Sequence, residues 1–174
     1  MTTGSGSPAD AGAVRCADPE ATRAAGVTLA AYLRAGDVLV LTGDLGAGKT
    51  TLTQGIGAGL GVRGPVTSPT FVIARAHPSE RPGGGPALVH VDAYRLGTAL
   101  EFDDLDLDTD LAAAVVVVEW GEGLAEGLSG DRLHVHLHAH DDGSRSVRLI
   151  GVGARWPADA VAAVQAAILD PAAG

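Results

Sequence analysis

Val38-Leu39-Val40-Leu41-Thr42-Gly43-Asp44-Leu45-Gly46-Ala47-Gly48-Lys49-Thr50-Thr51 joins two opposed patterns in one short stretch. Its first four residues are aliphatic at every position, as in a strand buried on both faces. Gly43 to Thr50 match GxxxxGK[ST], and beyond them Leu52, Ile56 and Leu60 recur four apart, the stripe of an amphipathic helix. Strand, glycine-rich turn and helix, in that order, turn the pattern into a structural expectation. Glycines let the chain curl so that successive backbone N–H groups face phosphate oxygens, and the helix N-terminus adds its positive dipole end. Gly43, Asp44, Leu45, Gly46, Ala47, Gly48, Lys49, Thr50 and Thr51 are therefore the expected nucleotide-binding residues. Lys49 reaches the outer phosphates and Thr50 offers a hydroxyl to magnesium.

Of the 12 basic residues, 11 are arginine, and Lys49 is the only lysine. A slender ammonium threads into a backbone cradle that a planar guanidinium would crowd. The chain contains no asparagine, so the NKxD pattern that selects guanine is missing and ATP is the expected nucleotide.

Working outward, Asp18-Pro19-Glu20 reads as a helix start, with Ala21, Ala25, Thr28, Leu29 and Tyr32 or Leu33 at helical spacing. Strands are expected over Thr70 to Arg75, Leu88 to Val91 and Ala114 to Val118, and a Pro/Gly-rich loop or hairpin over His77 to Pro86. Leu133 to Ala139 and Ser146 to Ile150 read as an antiparallel hairpin around Asp141-Asp142-Gly143, and Ala158 to Leu169 as a closing helix. These elements predict an α/β fold: a single P-loop NTPase domain over residues 14–174 with a mostly parallel central sheet, an antiparallel margin and helices on both faces. Residues 1–13, made of Gly, Ser, Pro and Ala without a basic start or apolar run, read as a flexible tail rather than a targeting segment.

Composition sets limits on function. At 174 residues with 46% hydrophobic and only 3% aromatic content, the core must be built from Val, Leu, Ile and Ala. A net charge of -9 disfavours a domain that grips nucleic acid through a basic face, so any RNA role is expected to be indirect. The single cysteine, Cys16, excludes an internal disulfide and suits a reducing cytoplasm. The longest apolar run, Leu111 to Val118, is too short to span a bilayer.

Two acids close apolar strands, Asp92 and Glu119. Either can bind the metal or aim the attacking water, and spacing alone does not divide the roles. Thr70, in Ser68-Pro69-Thr70-Phe71, lies where nucleotide-responsive switch segments occur and is a candidate contact to the terminal phosphate; taken by itself, a proline turn opening a strand is the simpler reading.

Gly43 to Thr51, Ser68-Pro69-Thr70-Phe71, His90-Val91-Asp92-Ala93-Tyr94-Arg95-Leu96 and Val118-Glu119-Trp120, in this order and spacing, resemble the TsaE family, also called YjeE. The resemblance covers about Asp18 to Leu149. It implies the ATPase component of bacterial tRNA threonylcarbamoyladenosine synthesis, working with the TsaB and TsaD proteins that modify adenosine 37 of tRNA. It further implies Thr50 and Glu119 as magnesium ligands and Asp92 as necessary for hydrolysis, with Lys49 and Thr70 completing the catalytic set. Trp120 and Tyr94-Arg95 would lie near the nucleotide or a partner surface.

Other features carry less. His134, His136, His138 and His140 alternate with Leu133, Val135, Leu137 and Ala139 and so share one strand face; neighbouring same-face side chains lie nearly 7 Å apart, room for two ligands on one ion, and a solvent-facing strand is favoured over a metal tract. Glu101, Asp103, Asp104, Asp106, Asp108 and Asp110 read mainly as solvated acids at a helix start. Leu128-Ser129-Gly130-Asp131 lacks the context of a transporter signature. A small-molecule kinase and a nucleotide-gated binding protein with little turnover stand as alternatives.

Overall fold

The computed structural model describes residues 12–67, 74–93, 111–120, 123 and 125–173. Strands β1 (Val14–Cys16), β2 (Val38–Thr42), β3 (Ala74–His77), β4 (Ala87–Asp92), β5 (Ala114–Glu119), β6 (Arg132–Ala139) and β7 (Arg145–Val152) form one sheet in the order β1-β7-β6-β2-β5-β4-β3. Its centre is parallel, β2 pairing with β5 and β6 and β4 with β5, while β1–β7, β6–β7 and β3–β4 are antiparallel. The mixed α/β sheet with antiparallel edges is the one the element order predicts.

Helix α1 (Pro19–Ala30) starts where Asp18 accepts a hydrogen bond from Ala21 N at 2.8 Å, satisfying an orphan amide of the first turn. It ends at Ala30, earlier than the apolar spacing suggests, and Tyr32 is exposed. Helix α2 (Lys49–Leu60) buries Leu52, Ile56 and Leu60, the expected stripe. Its other contact is with α1: a Cβ on Gly55 would collide with the Arg23 carbonyl, so the two helices approach closer than any larger residue permits. Helix α3 spans Ala158–Leu169, the same bounds as expected.

Two apolar clusters sandwich the sheet. Leu39 and Leu41 of β2, Val115 and Val117 of β5, and Leu133, Val135 and Leu137 of β6 pack with the buried residues of the three described α-helices. The intervening Val38, Val40, Val116 and Val118 face the other way, with Val89, Val91 and Ala125. Burial on both sides explains why β2 and β5 read as unbroken aliphatic runs. Among the described residues, the 3₁₀ turn Ala125–Gly127 and Leu128 cover part of this second face.

β1 was not expected: three residues with two inward side chains give no periodic signal, and only pairing with β7 makes a strand of them. The expected strand from Thr70 is described from Ala74 and runs to His77. The Ser68–Phe71 segment, Tyr94-Arg95-Leu96, the acidic residues 101–110 and Glu122 lie outside the described residues. No helix among the described residues is long and apolar enough to cross a membrane.

Candidate active site

β2, β4 and β5 run parallel, so their C-terminal ends share one edge of the sheet. From β2 the chain runs through α2 to β3, β4 and β5 on one side, and after β5 it crosses to β6 on the other side of β2, which opens a crevice at the sheet's switch point. A cavity of about 330 Å³ sits there, within the size range of small-ligand sites. Leu45, Gly46, Gly48, Lys49, Thr50, Thr51, Asp92, Glu119 and Trp120 line it, with Pro19, Thr22 and Arg145.

The loop between β2 and α2 has no room for side chains at its base. A Cβ on Gly43 would sit 2.5 Å from the Leu137 carbonyl oxygen of the neighbouring strand and 3.0 Å from Ala47 Cβ. Gly48 caps α2 with no side-chain acceptor, so the first-turn amides have no capping group of their own and are left for an anion. Lys49 is only 7% exposed; its Nζ donates to Gly43 O at 2.7 Å and Asp44 O at 3.1 Å. The Trp120 ring centroid lies 4.5 Å away. Among the described residues this buried ammonium meets carbonyls and a π face but no carboxylate. Among the described residues its charge is thus met by dipoles rather than by an ion pair, the state expected of a cradle built for an anionic ligand.

Trp120, directly after β5, is the one described non-glycine residue with positive φ, at 58°. A bulky side chain rarely adopts this conformation, and its cost is characteristic of functional sites.

Asp92 and Glu119 are register partners at the ends of β4 and β5. Glu119 is 5% exposed and its Oε1 accepts a hydrogen bond from His90 Nε2 at 3.0 Å; His90 itself is wholly buried. Thr50, Asp92 and Glu119 thus present one hydroxyl and two carboxylates to the same cavity, oxygen donors that fit a magnesium ion completing its shell with phosphates and water. Among the described residues no group of three or more His, Cys, Asp or Glu side chains is arranged to hold a metal unaided, so this fit depends on a bound phosphate.

Arg145, from the start of β7, reaches the same loop: its Nη2 donates to Gly46 O at 3.1 Å. Nothing local marked it, because only the β6–β7 hairpin lying beside β2 brings it there. Pro19 and Thr22 likewise arrive through the packing of α1 on α2. His90 was visible as the residue two before Asp92, on the same strand face, but its link to Glu119 depends on the β4–β5 register.

The four histidines do share one face of the β6 region, away from the helices. His136 Nδ1 and Thr42 Oγ1 lie 2.8 Å apart, His134 Nε2 accepts from Arg132 Nε at 3.1 Å, and His140 Nε2 lies 2.6 Å from Ser146 Oγ. Hydrogen bonding of this kind accounts for three of the rings without a metal.

Residues 16–147 match the family model described as "Threonylcarbamoyl adenosine biosynthesis protein TsaE". The chain belongs to the TsaE family. Relatives named tRNA threonylcarbamoyladenosine biosynthesis protein TsaE include that of Streptomyces coelicolor, 58% identical over 77% of this chain and 93% of the relative. Another, from Mycobacterium tuberculosis, is 56% identical over 71% of this chain and 77% of its own. The Bacillus subtilis protein is 40% identical over 82% and 87%. Among solved structures, Bacillus subtilis YdiB superposes with a TM-score of 0.64 at 32% identity, covering 90% of this chain and 92% of that one. The family assignment agrees with the resemblance carried by the sequence motifs. Of the TsaE motif stretches, those at Gly43–Thr51, at Asp92 and at Glu119-Trp120 converge on the one cavity; Ser68–Phe71, with the candidate Thr70, lies outside the described residues.

Proposed function

We propose that this chain is a magnesium-dependent ATPase of the cytoplasm that serves tRNA threonylcarbamoyladenosine synthesis together with TsaB and TsaD. The observation that carries the reading is the buried Lys49 ammonium, held over the loop by Gly43 O and Asp44 O in a cavity shared with Thr50, Asp92 and Glu119. Binding a polyphosphate gives that amine and the α2 amides anionic partners that they do not find among the described residues.

Roles follow from position. Gly43 to Thr51 wrap the phosphates, and Arg145, Pro19 and Thr22, which line the same cavity, meet the nucleoside part. Thr50 and Glu119 hold magnesium, which when bound neutralises charge on the phosphate oxygens. Asp92, less buried than Glu119, accepts a proton from and orients the attacking water; Thr70 is given the terminal phosphate on the motif resemblance alone. With a net charge of -9, the chain acts on tRNA through its protein partners.

Phosphate release measured for the chain alone and with TsaB and TsaD tests this. Turnover that rises with the partners is the expected result. Transfer of phosphate to a small acceptor would instead indicate a kinase, and nucleotide binding without turnover under either condition a gated binding protein.

A further inference from the structure

His90 has no assigned part in the chemistry, yet its surroundings are unusual for a structural residue. It is 0% exposed, it stands on β4 between Val89 and Val91, and one of its two ring nitrogens, Nδ1, has no hydrogen-bond partner among the described residues. A buried polar atom left unpaired destabilises the fold, so packing alone favours an aliphatic side chain here. The other nitrogen, Nε2, is 3.0 Å from Glu119 Oε1, a carboxylate that is itself nearly excluded from water.

The orphaned Nδ1 fixes the tautomer. A proton on Nδ1 would be a buried donor with no acceptor, whereas a proton on Nε2 has the carboxylate to receive it. His90 therefore donates Nε2–H to Oε1. Parallel register places His90 opposite Val117, two residues before Glu119, so the ring reaches along the strand pair to the carboxylate from beneath. With Oε1 engaged by His90, Oε2 is left to serve the cavity that Glu119 lines.

We infer that His90 is a positioning residue for the metal-binding carboxylate: its Nε2–H fixes the rotamer of Glu119 so that one oxygen faces the cation site. The inference rests on the ATPase reading, and it deepens that reading by naming the group behind the magnesium ligand. Outer-shell donors to metal ligands act in this way, orienting the ligand without touching the ion.

The test is calorimetric binding of a non-hydrolysable ATP analogue, with magnesium and separately in EDTA, to wild type, His90→Gln, His90→Asn and His90→Leu. Glutamine can place its amide nitrogen where Nε2 lies; asparagine is too short to reach Glu119. We expect unchanged affinity in EDTA throughout, a magnesium-dependent gain retained by His90→Gln, and about a tenfold smaller gain in His90→Asn and His90→Leu. Should His90→Leu fail to fold, the glutamine and asparagine variants decide the matter. A wild-type gain in His90→Asn, or a loss in His90→Gln as large as that in His90→Asn, overturns the inference while leaving the ATPase reading intact. Absence of any magnesium-dependent gain in wild type overturns the ATPase reading itself.

Discussion

Asp92 and Glu119 stand opposite each other across the parallel pair β4–β5, the last residues of their strands, and both line the cavity at the foot of α2. Adjacent strands are about 4.8 Å apart, so the two carboxylates form a side-by-side pair rather than a distant couple. Their environments differ: Glu119 is buried and tied to His90, whereas Asp92 is half-buried. A fixed carboxylate suits a metal ligand, and a more accessible one suits contact with water.

Asp92→Asn is therefore expected to keep nucleotide affinity within about 1 kcal/mol of wild type, since an amide preserves shape and removes only the charge, while phosphate release falls by about 100-fold or more. Calorimetry and a phosphate assay on the same preparation check the two halves. Normal turnover in the variant would mean that another group aims the water.

Lys49→Ala should weaken ATP binding by about 2–3 kcal/mol, roughly 30- to 150-fold, because a charge-assisted contact to the outer phosphates is lost. Lys49→Arg is expected to recover little, since the amine sits within 3.1 Å of two loop carbonyls and a guanidinium does not fit between them. The measurement is calorimetric titration at fixed salt, as ionic strength alters the charge contribution.

Gly43→Ala should destabilise the fold by about 1–3 kcal/mol, because the new Cβ meets the Leu137 carbonyl oxygen and Ala47 Cβ at the base of the loop. For a chain of this length each kcal/mol lowers Tm by about 2–4 °C, well within reach of a thermal melt. An unchanged Tm would show that the loop moves freely away from β6.

His77 gives the fold a pH dependence. It is 6% exposed with Nε2 unpartnered among the described residues, and burial, then the proximity of His90 and Arg75, holds its pKa below the ordinary 6.5. The unfolded chain thus binds the proton more readily than the folded one. Stability is full above pH 6.5 and is lost as pH falls through the lowered folded value. Urea midpoints at pH 7.5 and 5.5 should drop more for wild type than for His77→Leu; equal drops would place the dependence elsewhere.

Much of this was legible in the sequence, for a physical reason. β2, α2, β5 and α3 carry their own signals: unbroken aliphatic runs for strands buried on both faces, and apolar residues at helical spacing. The loop motif fixes its own geometry through glycine. β1 was invisible because three residues hold no period, and Arg145 and the His90–Glu119 bond were invisible because each depends on which strands become neighbours, a property of the whole sheet. Asp92 and Glu119 were singled out but not told apart; burial and the His90 contact distinguish them.

The most direct measurement is a crystal structure of the chain with a non-hydrolysable ATP analogue and magnesium. The expected result is a triphosphate wrapped by Gly43 to Thr50, with Lys49 Nζ transferred from the Gly43 and Asp44 carbonyls to phosphate oxygens. A nucleotide bound elsewhere, with Lys49 still folded back on its own loop, would contradict it.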